Sequence, residues 1–350
     1  MDTDRAGGKK TGGDEDGKKR SSCIKLLPSF QEKLKRKNGG RFEVEKKNIV
    51  KKAKKNESKE ARKEKKGDVE PAAEGGERGG GGGKPHGKFE TISLTFGDRA
   101  ENHVGMQCIG TLADKGFTCD ELAAVQKKFE KEGLKTQMVL LHEFLPSPHL
   151  QSTPSHKACV LIVRGGLNRV LSHPKAADDL WREQRALDHD KKAKMYGRVV
   201  NKHARWNLCF AGTSQEPDYE KGKGRVVAFR DCQNLTKLRR ALDSNFGVKA
   251  KSLLCELNFY YDVRKCGIGF HGDSERKIVV CARLGASMPM DFQWFTHSRP
   301  VGRRCHFVLH HGDMYAMSEK ATGCDWKKDK KGFTLRHAAG CEKFRTPKKK

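Results

Sequence analysis

Beyond residue 250 the sequence breaks into six short apolar runs: SLLCELNFYYD, KIVVCARLG, MDFQWFTH, RRCHFVLHH, DMYAMSE and FTLRHAAG. They are rich in Val, Phe, Tyr and Leu and are bounded by Gly, Asp, Ser and Lys. Runs of this length read as strands rather than helices. A succession of short strands buries its apolar faces by pairing into a sandwich or barrel. Upstream, FETISLTF alternates like a strand, and CDELAAVQKKFEKEG predicts a helix stopped by Gly133. TQMVLLHEF and KACVLIVRG read as strands, and KAADDLWREQRALDHDKKAKM as a long polar helix. The strand RVVAFR and a helix around LTKLRRALDSNFG, stopped by Gly247, complete the upstream part. The expected class is α+β, with helices first and a β-sandwich or barrel at the C-terminal end.

Residues 1–88 have a different composition. KKAKKNESKEARKEKKGD and EGGERGGGGGKPHGK are too poor in apolar residues to offset the entropy of ordering, so this arm is expected to be disordered. Its lysine runs suit either a nuclear-localisation or nucleic-acid tether or a solubilising linker. The remainder, 89–350, is expected to be one folded domain. The formal net charge is +28, and both parts are net basic. A basic folded region favours a polyanionic partner such as nucleic acid. The 12 cysteines contain no C-x-x-C pair, and most lie in apolar runs, where a thiol behaves as a small hydrophobe. A zinc-finger or disulfide framework is therefore not expected, and a reducing intracellular compartment is, with the nucleus favoured. There is no secretory apolar region at the N-terminus, and no apolar run approaches the roughly 18 residues of a membrane span.

The tripeptide HGD occurs twice, at His271–Asp273 and at His311–Asp313. His-x-Asp at a strand end sends both side chains to one side, where they can share a metal ion. Two His and one carboxylate on one face make the ligand set of non-haem Fe(II) oxygenases. In the second copy Gly312 and Asp313 separate two apolar runs, which is hairpin-turn chemistry. His271 and Asp273 are therefore the candidate metal pair, and His310 and His311 are expected to be structural.

The ordered set LNFYYDVRKCGIGFHGDSER, VVCARLG, FVLHHGDMYAM and TLRHAAG resembles the AlkB family of Fe(II)- and 2-oxoglutarate-dependent dioxygenases. By motif the resemblance covers roughly residues 250–340. It implies a double-stranded β-helix (jelly-roll) core with N-terminal helices and flanking strands, the catalytic core falling at about 250–345. It also implies His271 and Asp273 as proximal iron ligands, His337 as the distal one, and Asn258 and Tyr260 as contacts to the 2-oxoglutarate carboxylates. The family grips that cosubstrate with arginines that follow the distal His. Here only thirteen residues follow His337, and Arg345 is the sole arginine among them, with Lys343 an alternative point charge. A rival alignment matches TLRHAAG to the arginine strand. Arg336 then faces the cosubstrate and the triad lacks its distal His.

Glu275 stands where the family places an acidic residue near the substrate base; it either accepts from an exocyclic amine or answers Arg276 or Lys277 as a surface charge. Lys202, Arg205 and Trp206, in GRVVNKHARWNLCF, suit phosphate contact with base stacking, or equally a strand with a core Trp. The implied reaction uses Fe(II), 2-oxoglutarate and O₂. The cosubstrate is decarboxylated, and an N-alkyl carbon of a DNA or RNA base is hydroxylated and lost as an aldehyde, the base being flipped out or single-stranded. The alternatives are an oxygenase acting on a protein or small molecule, and a non-catalytic nucleic-acid-binding module on the same fold.

Overall fold

A computed structural model describes residues 87–329 and 331–347. The disordered arm expected for 1–88 lies outside the described residues, apart from its last two positions. Sixteen strands are present among the described residues: β1 (Thr91–Gly97), β2 (Arg99–Glu101), β3 (Cys108–Gly110), β4 (Thr136–Leu140), β5 (Cys159–Val163), β6 (Lys192–Met195), β7 (Arg198–Asn201), β8 (Trp206–Ala211), β9 (Val226–Ala228), β10 (Leu254–Tyr260), β11 (Gly267–His271), β12 (Val279–Gly285), β13 (Met288–Thr296), β14 (Arg299–Leu309), β15 (Met314–Met317) and β16 (Thr334–Gly340). The three longer helices are α1 (Cys119–Lys131), α2 (Ala176–Arg185) and α3 (Gln233–Phe246). The fold is α+β and dominated by antiparallel sheets. The larger sheet runs β4-β5-β15-β12-β1-β10-β8-β9 and the smaller β11-β16-β13-β14; two hairpins, β2-β3 and β6-β7, stand apart.

Alternation along the strands divides the core in two. On β12, Val280, Ala282 and Leu284 pack toward the helices, with Ile92, Leu94 and Phe96 of β1 and Leu122, Leu180 and Leu238 of the helices. The intervening residues Val279 and Cys281 face the other way, into a second core with Met290, Phe292 and Trp294 of β13. A period of two thus gives the large sheet one face for the helices and one for the small sheet. Helix α1 starts at a capping box in which Thr118 and Glu121 satisfy each other's backbone N–H groups, and Gly133 follows it at φ +79°. Among the described residues, no helix is long and apolar enough to cross a membrane.

Several sequence expectations need correction. The long polar helix ends at Arg185. Beyond it Asp190 is buried and accepts from Asn102 Nδ2 (2.6 Å), the Tyr219 hydroxyl (2.6 Å) and the Arg225 amide (2.7 Å), so these residues serve as a polar anchor rather than a helix face. TQMVLLHEF is strand only to Leu140. It then tightens into a 3₁₀ turn whose Leu141 carbonyl accepts from Trp294 Nε1 at 2.8 Å. RVVAFR is strand only over Val226–Ala228. Strand β11 was missed because Gly267 and Gly269 depress β-propensity. Gly267 is there for close packing, since a Cβ on it would stand 2.7 Å from the Ala339 carbonyl and 2.6 Å from the Phe344 ring. FETISLTF, expected as an upstream strand, is β1. Strand β1 lies in the middle of the large sheet, paired on both sides by later strands.

Candidate metal centre

Strand β11 ends on His271, and its antiparallel neighbour β16 places His337 directly across from it. The chain then turns through Gly272, where a Cβ would stand 2.2 Å from the Gly323 carbonyl, and delivers Asp273. The Asp273 amide donates to the Thr322 carbonyl at 2.8 Å, which fixes the carboxylate beneath the two rings. Asp273 Oδ1 is 3.5 Å from His271 Nε2 and 3.4 Å from His337 Nε2, and the rings meet edge-on with centroids 4.4 Å apart. One ligand atom from each residue lies within 4.8 Å of the others, the one such cluster of His, Cys, Asp or Glu among the described residues. The Asp of the second HGD copy is elsewhere. Asp313 closes a turn, accepting from the His310 and Gly165 amides and from Arg164, with Gly312 at φ +81°.

The donor set fits a divalent metal. Metal–ligand bonds of about 2 Å need donors a little over 3 Å apart on one face of an ion. His271 Nδ1 is 2.8 Å from the Gly269 carbonyl, a partner that accepts only; the proton therefore sits on Nδ1 and the Nε2 lone pair is left for an ion. Burial pushes the His337 pKa down, which keeps that ring neutral. Burial works to raise Asp273, but His337, His271 and Arg276 outweigh it and hold the carboxyl well below the usual range. A neutral His337 and an ionised Asp273 are the states a metal requires of them.

The cluster opens into a cavity of about 370 Å³ between the two sheets. Its wall is the inward face of the large sheet, where register sets Arg283 of β12 beside Ser93 of β1, and Ser93 beside Asn258 of β10. Tyr260 and Tyr315 complete this wall. Arg276, also buried, pairs with Glu256 and with Glu275 (2.8 Å), so Glu275 both lines the cavity and answers Arg276. Glu101, from β2, lines the cavity too; burial first, and then Glu275, push its carboxyl up to about 7.

The other residues singled out in the sequence are placed unevenly. Asn258 and Tyr260 line the cavity, but the Asn258 amide is already engaged: Oδ1 accepts from Arg205 Nε (2.6 Å) and Asn207 Nδ2 (2.7 Å), and Nδ2 donates to Glu256 (2.9 Å). Arg205 lines the cavity. Lys202 is set back behind it, bonded to Asn102 at 2.8 Å, and burial lowers its pKa to about 8. Trp206 is on the helix side of the sheet, stacked on Tyr261 at 4.8 Å. Neither arginine expected at the cosubstrate reaches the cavity. Arg345 bonds the buried Asp291 and the Gly340 carbonyl on the far face of the small sheet. Arg336, one residue from His337 on β16, points to the opposite face and stacks on Phe295 and Trp326. Lys343 is exposed in the last helical turn. Arg283, Tyr315, Glu101 and Glu256 were not singled out from sequence. Arg283 left one signal there, a charge inside the apolar run VVCARLG.

Over 255 residues, 73% of its length, the chain is 49% identical to "Uncharacterized protein R156" of Acanthamoeba polyphaga mimivirus, and the match spans 97% of the viral protein. The chain belongs to that protein's family. No family model matches this member of it.

Proposed function

We propose that this chain is an Fe(II)- and 2-oxoglutarate-dependent oxygenase, similar to the AlkB enzymes, that removes alkyl groups from the nitrogens of nucleic-acid bases. The observation that carries the reading is the convergence of His271, Asp273 and His337 at the floor of an inter-sheet cavity. The strand order supports a double-stranded β-helix. From β10 onward the chain visits the large sheet, the small, the large, then the small twice, the large and the small. The eighth place, between β10 and β12, is filled by β1 from the start of the domain.

The bound metal, with O₂ and 2-oxoglutarate, supplies the oxidation of an N-alkyl carbon. The residues of the chain supply the rest. His271 and His337, through their ring nitrogens, and Asp273, through its carboxylate, would hold the ion at the cavity floor. The Gly269 carbonyl fixes the His271 tautomer. The apolar wall of Ile268, Met290 and Ala339 keeps the reacting carbon from water. At the rim, Glu275 offers acceptor oxygens to an exocyclic amine, while Arg205 and Lys327 offer charge to a phosphate. The net charge of +28 favours a polyanionic substrate.

The test is 2-oxoglutarate decarboxylation stimulated by N-methylated DNA or RNA oligonucleotides. The wild type is expected to turn over with Fe(II), and His271→Ala and His337→Ala to lose turnover and bound iron while Arg336→Ala keeps the iron. Absence of iron-dependent turnover on every alkylated oligonucleotide overturns the reading.

A further inference from the structure

The cavity wall holds a charge that the protein does not answer. Arg283 is 1% exposed, and its Nε and Nη1 are buried without a hydrogen-bond partner. The other buried guanidinium on this wall, Arg276, is paired with two carboxylates. A guanidinium taken out of water costs several kcal/mol unless an anion is supplied, and arginine cannot shed its charge to escape that cost. The local residues have not adapted to hide it. Across β1 its neighbour is Ser93, its neighbours along the inward face of β12 are Cys281 and Gly285, and the ring lining beside it comes from Tyr260 and Tyr315. Among the described residues, no carboxylate forms a salt bridge with it. Its backbone is rigidly held, because the Arg283 amide donates to the Asp313 carbonyl and the Arg283 carbonyl accepts from the Gly312 amide, both at 2.8 Å. The second HGD turn thus braces this arginine.

We propose that Arg283 is the socket for the far carboxylate of a dicarboxylic 2-oxo acid, and that it selects 2-oxoglutarate over 2-oxo acids that end in a methyl group. The assignment rests on the oxygenase reading for the identity of the ligand's other end, which lies at the His271–Asp273–His337 face. It moves the anion-binding role away from the residues after His337, where Arg345 is bonded to Asp291. The strand that fills the eighth place in the sheet, β1, presents Ser93 and Thr95 to the cavity, and the guanidinium comes from the strand beside it. A planar fork meeting a carboxylate gives two parallel charge-assisted hydrogen bonds, and Tyr260 lines the same cavity.

The test is calorimetric titration of the full chain loaded with Mn(II) in place of iron, under anaerobic conditions, so that binding is read without turnover. The ligands are 2-oxoglutarate, 2-oxobutyrate and inorganic phosphate; the proteins are the wild type, Arg283→Met and Arg283→Lys. The wild type is expected to bind 2-oxoglutarate about 10- to 100-fold more tightly than 2-oxobutyrate, the factor that hydrogen bonds to a charged group are worth. Arg283→Met is expected to erase that ratio with Mn(II) affinity unchanged, and Arg283→Lys to restore part of it. The proposal is overturned, with the oxygenase reading intact, in any of three cases. These are equal wild-type affinities for the two 2-oxo acids, a ratio that survives in Arg283→Met, and phosphate displacing 2-oxoglutarate at equal concentration. The wild-type comparison needs no variant, so a misfolded Arg283→Met does not rescue the idea. Failure to bind Mn(II) at all overturns both.

Discussion

Arg283 and His189 are both buried residues whose cost to the fold is measurable. Arg283→Met replaces an unpaired charge by an apolar chain of similar length. In the ligand-free protein it is expected to raise stability by about 1–3 kcal/mol, the opposite of most buried substitutions. A shift of the urea midpoint to higher concentration at constant slope checks this. His189 stacks on Phe259 at 4.8 Å, and burial lowers its pKa to about 4. The unfolded chain takes up that proton near pH 6.5 and the folded chain only near 4, so the unfolded state binds more protons in between. Stability present above pH 6.5 is therefore lost as pH falls toward 4, by up to about 3 kcal/mol. In His189→Phe this component disappears, and denaturation curves at pH 7 and pH 4.5 should lie closer together than in the wild type. Of the His-Asp-His cluster, the nearness of His271 and Asp273 was legible from the tripeptide and its flanks. Arg283 was overlooked because sequence spacing does not reveal which face of a buried strand looks into a cavity.

Among the elements, strands with a strong apolar run were read correctly: β10, β12, β13 and β16 appear close to where composition put them. Those that depend on tertiary fit were not. Strand β11 carries two glycines in five residues, and its pairing is irregular between Ile268 and His271. That irregularity, with Gly272 after it, brings His271 and Asp273 to one ion-sized point. Gly272→Ala is expected to cost about 1–3 kcal/mol and to weaken metal affinity, because the new Cβ meets the Gly323 carbonyl at 2.2 Å and Trp326 at 2.6 Å. Thermal melts and metal titration of the same sample check the two effects together. Helix ends followed simple signals where caps were present, as at Thr118 and Gly133, and failed at Arg185, where the buried carboxylate of Asp190, five residues on, is held by distant partners and decides what the chain does next.

For the molecule as a whole, composition revealed the α+β class but not the connectivity. FETISLTF was legible as a strand, yet its partners, β10 and β12, lie more than 150 residues away, and no local pattern names them. A chain beginning at Ala113 lacks β1–β3 and leaves β10 and β12 with facing unpaired edges. It is expected to lose cooperative unfolding and to aggregate, as judged by circular-dichroism melts and size-exclusion chromatography.

The central position of β1 also has a consequence in time. On the ribosome this strand is made before either partner, and at about 5–20 residues per second its partners follow roughly ten seconds or more later. Throughout that interval a strand with Ile92, Leu94 and Phe96 on one face waits without a sheet. The keystone of the large sheet is thus made well before the two strands that lock it in, and a nascent chain of this family is expected to call on a chaperone in that interval.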